Sequence, residues 1–317
     1  MYGSMIAVKW QRNVNEGMVE IMTKANAKFL LVLIFMARGT SFLFSRHLLN
    51  SMSPLGILAT RFSMAFLILA VIYHKKIRTA GRAELRGGLV LGFLYFICMV
   101  FEMYGLQYVD TGISALIENM AIILVPIYGA VLTRKLPRKK TILCAFLAVA
   151  GVGFLSLSQM QMKGSGFGLL LIILAAMTYG ICIMATESVS RDGDPLTIGM
   201  FQLGFMGLFS FLAALPTGSL SLPSTGRQWS MMMLLVLLCS CFGFAFQPLA
   251  QKYVSAETAA VFTVINPLTA GILGIVAAGE KMDPAKAVGC ILILLALVIY
   301  NSNESGAGFN ESGGQVP

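Results

Sequence analysis

Apolar residues fall into ten long runs along the chain, separated by short polar breaks. The runs are 27–48, 54–74, 87–107, 112–133, 140–158, 166–188, 195–215, 229–251, 257–278 and 285–301. A helix of roughly 20 mostly apolar residues crosses a ~30 Å hydrocarbon core. A soluble helix of that length would carry a polar stripe along one side, and these runs do not. The pattern predicts an all-α polytopic membrane protein with ten transmembrane helices. The linkers are so short that successive helices must run antiparallel.

The polar breaks set the direction. Lys9, Arg12, Lys24 and Lys28 precede or open the first run. Lys75, Lys76, Arg78, Arg82 and Arg86 fill the second break, and Arg134, Lys135, Arg138, Lys139 and Lys140 the fourth. The opposite breaks hold only Lys163, Arg227 and Lys281, while Arg191 and Lys252 mark the inner side in the second half. Cytoplasmic loops carry the excess of Lys and Arg. Both termini are therefore expected in the cytoplasm, in a multi-pass protein of the cell membrane. Residues 1–26 form a cytoplasmic N-terminal segment without a signal-peptide core, in which Met18 and Met22 are alternative candidate starts. The stretch 302–317, rich in Gly, Ser and Asn, is expected to be a disordered cytoplasmic tail.

Composition agrees with lipid as the solvent. The chain is 57% hydrophobic and 12% charged, against about 25% charged in a soluble domain. So few charges cannot cover a water-facing surface. The net charge of +9 belongs to the loops and does not point to nucleic acid. All six cysteines lie inside apolar runs, with no zinc or disulfide spacing.

The two halves repeat one another. Arg38-Gly39, Pro54-Leu55 and Arg61 reappear, each 141 residues on, as Tyr179-Gly180, Pro195-Leu196 and Gln202. Phe101-Glu102 and Tyr108-Val109 reappear 145 residues on as Phe246-Gln247 and Tyr253-Val254. The boundaries are 27–158 for the first repeat and 159–301 for the second. Five spans per repeat is an odd number, so the second enters the membrane the other way up. Inverted repeats are the design of many secondary transporters, with the substrate site near the midplane between them.

The stretch Arg38-Gly39-Thr40-Ser41-Phe42, the opening Ser53-Pro54-Leu55 and Arg61-Phe62 resemble the first half of an EamA domain. So do Leu106-Gln107-Tyr108-Val109 and Ser114-Ala115-Leu116, while Asn266-Pro267 and Gly279-Glu280-Lys281 resemble the end of a second one. Over about residues 27–301 the chain resembles the drug/metabolite transporter superfamily, with two EamA domains. The resemblance implies export or exchange of amino acids, metabolites or drugs. The chain departs from the family pattern at Arg38, where a Trp is frequent, and at Thr133-Arg134-Lys135, where the first half usually ends in Gly-Glu.

An ionisable side chain at membrane depth is costly and marks a functional candidate. Arg38 lies ten residues beyond Lys28, so about 15 Å into the membrane. It is a candidate anion-binding group, because guanidinium grips carboxylate or phosphate with two parallel bonds. The alternative is a structural salt bridge to Glu102 or Glu118. Arg61, Glu102 and Glu118 sit roughly 8–11 Å below the outer surface by helical rise and are candidates for a coupling or gating network. A purely structural ion-pair cluster fits them equally. Asn119, Asn266 and Tyr179 are candidate solute contacts, with cross-helix bonding or packing as the alternatives. Pro126 and Pro267 are expected to bend their helices and free a carbonyl. No metal site, cofactor motif or catalytic triad is apparent.

These features favour a secondary active transporter of a small solute working by alternating access, an exporter that can be proton-coupled, and not an enzyme. A membrane enzyme using Glu102 and Glu118 as paired carboxylates is one alternative. A channel or a lipid-linked flippase subunit is another. The partners expected are a small solute and the lipid bilayer, with no nucleic acid. The sequence leaves the oligomeric state open.

Overall fold

A computed structural model describes residues 23–109, 111–134, 139–157, 166–269 and 284–310, together with Pro137 and Ile272. The described residues are helical, with turns between helices and no strand. In chain order the helices are α1 Lys24–Gly39, α2 Ser41–Leu48, α3 Pro54–Ile72, α4 His74–Arg78, α5 Arg82–Tyr108, α6 Thr111–Glu118, α7 Ala121–Thr133 and α8 Lys139–Leu157. Then come α9 Gly166–Ser190, α10 Pro195–Ala214, α11 Gly226–Leu234, a π-helical stretch Leu235–Phe244, α12 Gln247–Gln251, α13 Ala256–Phe262 and α14 Pro284–Asn310.

Local chemistry explains several helix ends. Ser53 caps α3 by accepting from Gly56 N, with Pro54 at the first helical position. Asp194 caps α10 by accepting from Thr197 N, with Pro195 in the same place. Proline suits that position because its missing N–H would be unpaired there anyway. These are matching points of the two repeats.

Ten continuous spans are expected, and the described residues cover only part of them. Among the described residues seven helices are long and apolar enough to cross a membrane: Lys24–Leu48, Pro54–Ile72, Arg82–Tyr108, Ser114–Thr133, Gly166–Ser190, Pro195–Ala214 and Gly226–Gln251. Two further apolar helices are shorter, Thr141–Phe154 and Ala287–Tyr300. The expected ninth span breaks at Thr263-Val264 and resumes over 265–269. Pro267 explains the break, because it cannot donate to the carbonyl of Thr263 four residues back. Instead Asn266 N donates to that carbonyl at 2.9 Å.

Two other spans are interrupted. The first turns at Thr40, whose hydroxyl donates to the Ala37 carbonyl at 2.8 Å, a local bond that competes with the helix ladder. The fourth turns at Asn119-Met120, and Pro126 sits inside α7, beyond the turn. The last helix continues to Asn310, so residues 302–310 are helical where a disordered tail is expected. Each residue added to an existing helix gains a bond without a new nucleus, and no proline stops it. Residues 1–22, Lys135, Arg138, Lys163 and the stretch Gly279-Glu280-Lys281 lie outside the described residues.

Packing joins the halves. Helix α3 lies along α10, α5 lies along both α9 and α10, and α8 lies along α14. The main buried cluster draws on both halves, from Leu31 and Phe62 to Met200 and Phe244. Large apolar side chains also cover the outside, including Val71 at 76% exposure, Leu132 at 74% and Phe146 at 69%. That much exposed apolar surface suits a bilayer and not water.

Candidate functional site

The site grows from the end of α1. Arg38 is its second-last residue and is buried. Gly39, next to it, lets α1 close on the 265–269 segment, since a Cβ there would stand 2.5 Å from the Asn266 carbonyl oxygen. Arg38 Nη1 donates to Gln247 Oε1 at 2.6 Å. Gln247 Nε2 in turn donates to Tyr95 Oη at 3.0 Å and to Gln251 Oε1 at 3.0 Å. Gln251 Nε2 completes the chain at the Ile183 carbonyl, 3.2 Å away. The Arg38 guanidinium carbon lies 4.3 Å from the Phe244 ring centre and 5.2 Å from that of Tyr179. Stacking on aromatic faces is what makes a buried guanidinium tolerable without a carboxylate.

Arg61, on α3, is buried beside it. Its Nε donates to Ser240 Oγ at 2.7 Å and its Nη1 to Ser41 Oγ at 3.2 Å. Its Nη2 is buried without a partner. The Phe244 ring centre lies 5.6 Å from the Arg61 guanidinium carbon, so a single ring serves both arginines. Ser240 and Phe244 come from the π-helical stretch. Such stretches are rare and occur at functional sites.

Among the described residues Glu102, on α5, and Glu118, at the end of α6, are the two acidic residues buried near the arginines. Glu102 Oε2 has no donor. Arg38 is within electrostatic reach of both, and Arg61 of Glu102. Among the described residues neither arginine forms a salt bridge with either glutamate. The salt bridge considered for Arg38 is thus replaced by an amide from the other half.

The remaining candidates divide. Tyr179 lies on Arg38, and its hydroxyl is buried without a partner. Asn119 donates back to the Ala115 carbonyl at 2.7 Å within its own segment, leaving Oδ1 unpartnered. Asn266 meets Gly39 through its backbone, and its Oδ1 is also unpartnered. Pro126 and Pro267 stand near helix interruptions rather than in the cluster. Phe244, Ser240 and Ser41 belong to the site and escape sequence reasoning, because ordinary apolar or hydroxyl residues in an apolar run give no signal. Gln247 is legible as the repeat partner of Glu102. Among the described residues no group of three or more His, Cys, Asp or Glu converges as a metal ligand set.

Polar ties hold the halves together above and below this cluster. At one end Lys76 Nζ reaches both Asp194 oxygens at 3.0 Å, and Glu84 Oε1 accepts from Asp194 N at 3.2 Å. Burial pushes the Asp194 carboxyl up. The Thr197 hydroxyl bond and the Lys76 charge outweigh that and hold it below its ordinary value. At the other end Ser53 donates to the Ser219 carbonyl, and Gln228 Nε2 donates to Ser51 Oγ at 2.8 Å.

Comparison with known proteins places this arrangement. The model of the EamA-like transporter family matches residues 26–157 and 166–302. A protein of Archaeoglobus fulgidus named an uncharacterized transporter is 24% identical over 291 residues, covering 90% of this chain and 89% of its own length. The uncharacterized transporter YetK of Bacillus subtilis is 27% identical over 212 residues, 64% of this chain and 62% of its own. The inner membrane metabolite transport protein YgcS of Escherichia coli is 28% identical over 181 residues, 53% of this chain and 39% of its own. A solved crystal structure at 16% identity superposes with a TM-score of 0.71 over 87% of this chain and 96% of that chain, which speaks for the fold alone. The chain is a multi-pass membrane protein and belongs to the EamA-like transporter family.

Proposed function

We propose that this chain is a secondary active transporter that carries a small metabolite, amino acid or drug by alternating access, as an exporter coupled to protons. The solute site is the buried cluster around Arg38, with Tyr179 beside it, and the Glu102–Glu118 pair carries the proton. Both termini lie in the cytoplasm, and the two repeats are inverted.

The supporting observation is a polar cluster at the seam of the two repeats that is incompletely satisfied. Arg61 Nη2, Glu102 Oε2 and Tyr179 Oη are all buried without partners. An unpaired buried polar atom costs about 1–3 kcal/mol, so such atoms persist where a water or a solute completes them. The Arg38–Gln247 bond crosses from the first repeat to the second. A solute that competes for Arg38 would therefore loosen a tie between the parts that must move. The carboxyl pair supplies a titratable element within reach of both arginines.

Purified protein in proteoliposomes tests the reading. Glu102→Gln and Glu118→Gln should abolish accumulation driven by a pH difference while leaving passive exchange. If both variants still concentrate solute under an imposed pH difference, neither residue carries the proton. Arg38→Lys should raise the solute concentration needed for half-maximal transport in a folded protein, since Lys keeps charge but loses the fork. Unchanged affinity would remove Arg38 from the site. A membrane enzyme acting through the paired carboxylates would instead convert a substrate in detergent, with no gradient present.

A further inference from the structure

We propose that the chain binds an anionic phospholipid, with its phosphate in a basic cavity at one end of α1 and an acyl chain in an apolar groove that continues along α1 and α13. The cavity is about 400 Å³ and is lined by Lys24, Arg191, Lys252, Tyr253, Val254 and Ser255. Its three cations arrive from three separate places: the start of α1, the turn after α9 and the turn after α12. Among the described residues Lys252 Nζ donates to a neutral acceptor, the Gly193 carbonyl at 3.3 Å. Lys24 has no ion pair among the described residues. Arg191 pairs with Glu187 at 2.5 Å, and Glu187 also accepts from Ala256 N at 2.6 Å. The lining holds three bases and no acid, and among the described residues only Arg191 of the three has an ion pair. Basic pockets between membrane helices near the surface bind anionic head groups.

The second observation is independent and chooses lipid over a soluble anion. An apolar groove of about 520 Å³ is lined by Val32 and Met36 of α1, by Phe262 and Ile265 at and beyond the end of α13, and by Leu294 and Val298 of α14, among others. Cavity and groove share two walls. Val32 lies eight residues past Lys24 on α1, about 12 Å of helical rise, and Phe262 lies seven past Ser255, about 10 Å. The head-group region of a bilayer leaflet is roughly 5–8 Å thick, so the groove begins inside the hydrocarbon when the cavity sits at the phosphates. A free phosphate has no use for the groove, and a neutral lipid has none for the cavity.

The test uses the full chain in mild detergent and measures lipid retention by native mass spectrometry alongside thermal shift. The probes are phosphatidylglycerol, phosphatidylcholine of the same chains, and inorganic phosphate. Phosphatidylglycerol should bind and raise the melting temperature, with phosphatidylcholine and phosphate much weaker. Each juxtamembrane Lys or Arg near an anionic surface is worth about a five-fold change in binding. Lys24→Gln should therefore weaken phosphatidylglycerol about five-fold, and Lys24→Gln with Lys252→Gln about 25-fold. If the double variant fails to fold, the single one carries the test. Met36→Trp, which fills the groove, should weaken the lipid and leave phosphate unchanged. Equal binding of the two lipids would reduce the face to ordinary lipid contact and overturn the proposal. Phosphate binding as tight as lipid would make it a soluble-anion site, and undiminished binding by Lys24→Gln would place the head group elsewhere. Either result also overturns it.

Discussion

Replacing Gln247 by leucine tests whether one amide holds the central cluster together. Gln247 accepts from Arg38 and donates to Tyr95 and Gln251. A hydrogen bond to a charged group is worth about 1.5–3 kcal/mol and a neutral one about 0.5–1.5 kcal/mol. The three together span about 2.5–6 kcal/mol. Leucine refills the volume, and Phe244 still lies 4.3 Å from the guanidinium, which keeps the charge partly accommodated. The expected loss is therefore about 3 kcal/mol, toward the lower end of that range. Reversible unfolding in mixed mild and denaturing detergent reads it. The sharper measurement is the cycle with Arg38→Met. If the bond is real, the double variant should lose less than the sum of the singles by about 1.5–3 kcal/mol, because both buried partners leave together. Losses that add to within about 0.5 kcal/mol would refute the coupling.

Other outcomes follow from the same structure. Gly199→Ala should destabilise by about 1–3 kcal/mol, because its Cβ would stand 2.2 Å from the Ala245 carbonyl oxygen, a backbone atom that cannot step aside; unfolding midpoints like those of the unaltered protein would contradict this. Asp194→Asn should lower stability at pH 7 by no more than about 1 kcal/mol, since the pair is partly exposed. Its carboxyl lies below the ordinary value of 3.8, so its stabilisation is present above that pH and fades as pH falls through the lower folded value. The gap between variant and parent should close on acidification, and a constant gap would show that charge is not its source. Single cysteines at Arg78 or Arg138 in a cysteine-free background should resist impermeant thiol reagents in intact cells. Labelling from outside would reverse the orientation.

The apolar runs were legible because lipid demands length and hydrophobicity over whole helices. The starts at Pro54 and Pro195 were legible as well, since cap and proline act locally. The interruptions at Thr40 and Asn119-Met120 were not, because a single hydroxyl or amide competing with the ladder looks like any other polar residue in a span. The π-helical stretch has no local signature in Leu235–Phe244. For the site, burial cost alone picked out Arg38, Arg61, Glu102 and Glu118. Their partners depend on how each helix is rotated, which depth arguments leave free. Hence Gln247, and not a glutamate, meets Arg38.

The ring shared by two arginines has an electrical consequence. A π face attracts a cation but cancels none of its charge. Arg38 and Arg61 thus keep two positive charges around Phe244, and each of the two buried glutamates returns one negative charge only while it is ionised. With one of them ionised, the empty cluster carries one net positive charge. Moving a full elementary charge through the membrane field changes its energy by about 2.3 kcal/mol per 100 mV. In the proposed alternating-access cycle, the resetting of the empty cluster would feel voltage in proportion to the fraction of the field it traverses, with an inside-negative potential drawing it toward the cytoplasm. Were the proposed solute a monovalent anion, its binding would bring the count to zero, so the loaded form would be blind to voltage while the empty form would not.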